Sequence, residues 1–194
     1  KAESPYGNTK QINEEIIADT IKSGSPIKAV ILRYFNPIGA HPSAIIGELP
    51  NGVPANLIPY ITQTAIGIRP QLSVFGNDYN TPDGTFIYVV DLAKAHVCAM
   101  ARILDGKSED SVEIFNIGTG SGVSVQQLID TFEKCTGVKL NYKVVGRRAG
   151  DIEKIWGNVD KANNVLGWKA VHTLEDALSS AWKWQLHLRE AGIM

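Results

Sequence analysis

A tyrosine and a lysine stand four residues apart in Ser4-Pro5-Tyr6-Gly7-Asn8-Thr9-Lys10, where a stretch of helical periodicity begins. On a helix, positions i and i+4 share a face, so the Tyr6 phenol and the Lys10 ammonium can address one point in space. A nearby cation favours the phenolate, the form a general base requires. The spacing alone is weak, since a chance Tyr-x-x-x-Lys turns up in roughly one such chain in three. The plain alternative is an exposed tyrosine beside a solvated lysine.

Other polar groups offer binding chemistry. Arg147, Arg148 and Asp151 suit a nucleoside diphosphate. A guanidinium fork grips phosphate oxygens, and a carboxylate accepts from ribose hydroxyls. The same residues also suit a surface turn with a local ion pair. Asn36 and Asn56 fall at the ends of expected elements, where an amide binds either loop backbone or a ligand. Gly118-Thr119-Gly120-Ser121-Gly122 lies between a strand and a helix, but its G-x-G-x-G pattern departs from the dinucleotide fingerprint and reads as a structural turn. Trp182 and Trp184 read as core and rim of the last helix rather than as a sugar platform.

The elements that must position these groups follow from periodicity. Ile12, Ile16, Ile17 and Ile21 set a helix over about 5–23. Residues 28–35 carry a continuous apolar, β-branched run, the pattern of a parallel strand buried on both faces. The loop 36–42 then leaves its carboxyl end, where open α/β sheets bind ligands. Helix 55–66, strand 71–75, a turn-rich loop over 76–84 and strand 87–90 follow, and Asp91 is expected to cap a helix to Leu104. Strand 112–117, a helix opened by a Ser124/Gln127 capping box, and strand 140–145 come next. Helices over about 160–166 and 174–189, the second capped by Thr173, close the chain. Strands alternating with helices define the α/β class.

The 194 residues include 20% charged and 44% hydrophobic side chains, with a net charge of −1 and no charged runs. That argues for a globular chain and against nucleic-acid or membrane-surface binding. No apolar run nears the roughly 20 residues that span a bilayer, and no secretory signal precedes the first helix. Cys98 and Cys135 read as reduced core thiols of a cytoplasmic protein. Four scattered histidines give no metal spacing.

Several segments, taken in order, resemble the UDP-glucose 4-epimerases, a family of extended short-chain dehydrogenase/reductases. They are Ser4 to Lys10, Leu32-Arg33-Tyr34-Phe35-Asn36-Pro37-Ile38-Gly39-Ala40-His41-Pro42, Val53 to Tyr60, Val74 to Tyr79, Val89 to His96 and Gly146 to Asp151. The resemblance spans essentially the whole chain. It implies interconversion of UDP-glucose and UDP-galactose through a 4-keto sugar, with transient hydride transfer to tightly held NAD. Tyr6 then matches the base and Lys10 the lysine that bonds the nicotinamide ribose. Tyr34 and Phe35 match the lining of the nicotinamide pocket. Asn36 and Asn56 match UDP-sugar ligands, and Leu57, Ser73 and Phe75 the uridine wall. Arg148 matches a diphosphate ligand and Asp151 a ribose ligand. Ile155 matches a position that gauges the sugar pocket, where a bulky residue disfavours N-acetylated sugars.

The resemblance also implies what residues 1–194 represent: the carboxyl-terminal portion of such an enzyme. They would form the end of a Rossmann-type, doubly wound parallel sheet interleaved with the smaller UDP-sugar-binding α/β domain. The amino-terminal NAD-binding half, with its glycine-rich loop, is not among them. An open sheet edge and bare helix faces are expected in consequence, and no epimerase activity from these residues alone. Two local departures stand out. Phe86 occupies the place of a short segment containing a diphosphate-binding arginine, and Ala55 replaces the first of two asparagines. The resemblance further implies a homodimer, with residues 5–23 and 91–104 as its surface. Related nucleotide-sugar dehydratases or decarboxylases, and a non-catalytic UDP-binding or self-assembling fragment, are the alternative readings.

Overall fold

In the computed structural model, residues 2, 4–76, 85–146 and 157–194 are described. Arg147, Arg148, Asp151 and Ile155 lie outside them.

Local rules account for most element boundaries. Helix α1 (Pro5–Lys22) starts where the Gly7 N–H donates to Ser4 Oγ at 3.0 Å, with proline at its first position. The capping box predicted at Ser124/Gln127 is formed and opens α4 (Val125–Thr136), which Gly137 ends at φ 73°. Thr173 opens α5 (Leu174–Glu190) with a second capping box through Asp176. The Thr173 backbone N–H holds the Asp176 carboxyl below its ordinary range. Helices α2 (Leu57–Ala65) and α3 (Val89–Leu104) are the other α-helices of the described residues.

Among the described residues, six strands form three parallel pairs. β1 (Ala29–Tyr34) pairs with β5 (Val112–Ile117), with Ala29 opposite Val112. β2 (Asn36–Ile38) pairs with β4 (Phe86–Tyr88), and β3 (Leu72–Phe75) with β6 (Tyr142–Val145). The α/β class and the parallel pairing agree with the sequence reading. One core gathers Ile61, Leu72, Leu128, Phe132 and Leu178 between α2, β3, α4 and α5. A second gathers Ile87, Ala95, Phe115, Ile117 and Trp168 around α3 and β5.

Several features differ from the sequence reading, among them residues 89–90, read as the end of a strand, which open α3. β1 is parallel but only half-buried, because β5 is its only partner among the described residues and its other edge is open. Residues 36–38, read as loop, form β2, since the Asn36 N–H bonds the Thr85 carbonyl at 3.2 Å beside the pairing with β4. Asp91 does not cap α3. Tyr88 occupies the cap position, and the Asp91 carboxylate accepts from the Val171 and His172 N–H groups at 3.1 and 3.0 Å and from His172 Nδ1 at 2.8 Å. Residues Ala162–Leu166 form a wide π-helical turn rather than an α-helix.

Helix α1 buries no residue, and Ile12, Ile16 and Ile17 face solvent. An ion pair between Glu14 and Arg33 ties it to β1, with Arg33 Nε donating to Glu14 Oε1 at 2.7 Å. No helix among the described residues is long and apolar enough to cross a membrane.

A buried pair fixes α3 to β5. Arg102 Nε and Nη2 donate to the two Glu113 oxygens at 2.7 and 2.8 Å, and Nη1 donates to the Val165 carbonyl at 3.1 Å. The Arg102 guanidinium holds the Glu113 carboxyl below its ordinary range. A folded-state pKa below the unfolded value means stability present above about pH 4.3 and lost as pH falls through the folded value. Glu113→Gln is expected to lower Tm by about 5–10 °C at neutral pH, by leaving a buried cation half-paired. The deficit should shrink below pH 4; calorimetric scans across pH 3–7 measure both.

Candidate functional site

A cleft of about 770 Å³ opens at the carboxyl end of β2, between the start of α2, the first turn of α3 and the segment 46–48. Asn36 stands at its edge, where its side-chain amide donates to the Thr85 carbonyl at 3.4 Å. The floor is the backbone of Gly39 and Ala40. Tyr88 Oη donates to the Ala40 carbonyl at 2.8 Å, and the Ala40 N–H donates to Ser180 Oγ at 3.0 Å. Gly39 has φ 86°, and a Cβ there would lie 2.7 Å from the Tyr88 ring and 3.0 Å from the Ala177 carbonyl. Only glycine satisfies both the left-handed backbone and the contact.

The outer wall hangs on α5. Trp184 Nε1 donates to the Glu48 carbonyl at 2.9 Å, and its ring covers Gly47 so closely that a Cβ would meet it at 2.4 Å. The Glu48 carboxylate accepts from Asn56 Nδ2 at 2.6 Å. Among the described residues lining the cleft, Glu48 is the one acidic side chain.

Asn56 holds the N-cap position of α2 in extended conformation, yet its side chain makes no cap bond. A cap of this kind is worth about 1 kcal/mol, and α2 forgoes it. The helix therefore points an uncapped N-terminus into the cleft, and Pro59 has no N–H to add. Free N–H groups at a helix start, with the positive end of the helix dipole, favour an anion.

Of the residues singled out in the sequence, Asn36, Asn56 and Leu57 line this cleft together. Tyr6 and Lys10 share a face of α1, with Lys10 Nζ 4.9 Å from the Tyr6 ring centroid, and lie outside the cleft lining. Tyr6 is 73% exposed, and Lys10 has no ion-pair partner among the described residues. Tyr34 is exposed and meets the His96 ring edge-on at 5.9 Å. The Phe35 ring packs against Gly118 and Gly157, each of which would carry a Cβ 3.1 Å from it. Ser73 and Phe75 occupy the face of β3 opposite the buried Leu72 and Val74. The Gly118–Gly122 segment is a self-bonded turn, with Thr119 Oγ1 donating to the Ser121 carbonyl at 3.1 Å.

Sequence reasoning did not single out Glu48, Tyr88 or Trp184 as parts of a site. An acidic side chain in the otherwise apolar stretch Ile45-Ile46-Gly47-Glu48-Leu49 was the available signal for the first.

Residues 1–181 match the family model described as GDP-mannose 4,6 dehydratase, and the chain belongs to that family. Within it, the chain is 48% identical over 188 residues to UDP-glucose 4-epimerase of Dictyostelium discoideum, covering 95% of this chain and 54% of that protein. It is 47% identical to UDP-glucose 4-epimerase of Homo sapiens, over 94% of this chain and 53% of that one. Among solved structures, UDP-glucose-4-epimerase from Stenotrophomonas maltophila with bound NAD and formylated UDP-arabinopyranose superposes with a TM-score of 0.91. It is 46% identical and covers 98% of this chain and 57% of that one. The Bifidobacterium longum enzyme in complex with NAD+ and UDP gives 0.85 at 41% identity, over 95% of this chain and 55% of that one. The chain thus spans about half the length of the curated relatives it matches.

The clamp on Gly39 is directly testable. Gly39→Ala adds left-handed strain and a clash with Tyr88, and is expected to destabilise the protein by about 2–4 kcal/mol. Urea unfolding measures it; a change under 1 kcal/mol would show that the floor yields.

Proposed function

We propose that the protein containing this chain is an NAD-dependent UDP-glucose 4-epimerase, interconverting UDP-glucose and UDP-galactose. One observation carries the reading. Asn36 and Asn56, matched by resemblance to UDP-sugar ligands, and Leu57, matched to the uridine wall, line one cleft at the uncapped start of α2. An uncapped helix N-terminus suits a diphosphate. The similarity to epimerases crystallised with NAD and UDP ligands supports the same assignment.

The residues present fit the nicotinamide-ribose end of NAD. A phenol and an ammonium share one exposed helix face, the donor set that ribose hydroxyls and a reacting alcohol require. When bound, NAD supplies reversible hydride acceptance. Tyr6 would hold and return the proton of the sugar 4-hydroxyl, and Lys10 would bond the nicotinamide ribose. Tyr34 and Phe35 would border the nicotinamide. Asn36 and Asn56 orient the UDP-sugar, and Leu57, Ser73 and Phe75 border the uridine. Arg148, Asp151 and Ile155 complete the set as diphosphate, ribose and sugar-gauge positions. Residues 1–194 are read as the end of a Rossmann domain interleaved with the UDP-sugar domain of a cytoplasmic homodimer. The exposed Ile12, Ile16 and Ile17 of α1 and Val97, Met100 and Leu104 of α3 support that surface.

The test is a coupled assay for conversion of UDP-galactose to UDP-glucose by the intact protein. Tyr6→Phe is expected to lower kcat by about 10²–10⁴-fold with KM little changed. Retention of full turnover would remove Tyr6 from the reaction.

A further inference from the structure

Glu48 presents a contradiction. It places a carboxylate on the wall of a cleft read as the seat of a dianionic ligand, where like charge opposes binding. Its one side-chain hydrogen bond among the described residues is to Asn56. Asn56, for its part, has the backbone of an N-cap and a residue type suited to capping, but does not cap. The two anomalies explain each other. A carboxylate only accepts, so it draws the Asn56 NH₂ toward itself. The amide side chain is thereby held off the first turn of α2.

We propose that Glu48 is a positioning residue that keeps Asn56 from capping α2, so that the helix N–H groups stay open to the diphosphate of a nucleotide sugar. Asn56 has two alternatives. Latched to Glu48, it leaves the helix end free and offers its carbonyl oxygen as an acceptor. Released, it folds back and its Oδ1 accepts from the Ile58 N–H, the one cap donor left because Pro59 at the third helical position has none. The second state is internally satisfied and closed to an anion. Two contacts with Trp184 make the latch stiff: the Glu48 carbonyl is held by the indole N–H, and Gly47 lies under the ring. The carboxylate is thereby delivered from α5, not from a free loop. The substrate class rests on the reading under Proposed function; the latch itself does not.

The inference predicts a sign that charge repulsion does not. Removing a carboxylate from an anion site should strengthen binding on electrostatic grounds. Glu48→Ala is instead expected to weaken UDP binding about three- to tenfold, the range of one N-cap interaction, while leaving Tm unchanged or higher. Adding Asn56→Ala removes the competing cap, so the double variant should bind no worse than Asn56→Ala alone. Calorimetric titration of the intact protein with UDP, for wild type, both single variants and the double variant, reads these effects. Losses that add in the double variant, or tighter binding by Glu48→Ala, would overturn the inference.

A second readout is independent of UDP. The side-chain amide resonances of Asn56, in protein labelled at asparagine nitrogen, should move as Glu48 titrates and lose that dependence in Glu48→Gln. Amide resonances indifferent to Glu48 would refute the latch. Absence of UDP binding by wild type, with the amide still following Glu48, would overturn the nucleotide-sugar reading and leave the latch supported.

Discussion

One buried carboxylate joins the parts that shape the cleft. Asp91 is almost wholly enclosed, and its two oxygens take three hydrogen bonds from Val171 and His172. Its carbonyl takes a fourth from Trp168 Nε1 at 3.0 Å. Those bonds pin the segment before α5 to the first turn of α3. The His172 ring then stands edge-on to Tyr88 at 4.9 Å, and Tyr88 presses on Gly39 and holds Ala40. A buried anion is tolerated only when so fully satisfied. The cleft floor is therefore set from behind by a side chain that is not part of the cleft lining.

Much of this was legible in the sequence where a rule is local. Ser124 with Gln127 formed the capping box their spacing demands, Thr173 formed the expected cap, and the apolar run read over 28–35 formed a parallel strand. Legibility failed where the partner is distant. Asp91 has the composition of a helix cap, but a network some eighty residues away claims it. Asn36 to Ile38 carry a proline and read as loop, yet pairing with β4 makes them a strand. The wide turn over Ala162–Leu166 has no sequence signature beyond Gly167 after it.

The site divides along the same line. The asparagines and Leu57 could be picked by resemblance, and they do meet in one cleft. What positions them could not be picked so. Glu48 and Trp184 act through each other's backbone and ring, across 136 positions of chain. Such pairs leave no periodicity and no motif.

Helix α1 carries Tyr6 and Lys10 on a lightly held element. It buries nothing, and its ion pair to β1, through the largely exposed Arg33, is worth about 1 kcal/mol or less. Tyr6 and Lys10 thus ride on an element whose orientation is held by an interaction comparable with thermal energy and screened by salt. The exposed isoleucines and the Tyr6 phenol belong to the same helix. Whatever surface covers those isoleucines also sets the direction of the phenol, so burial of the stripe and orientation of Tyr6 become a single event.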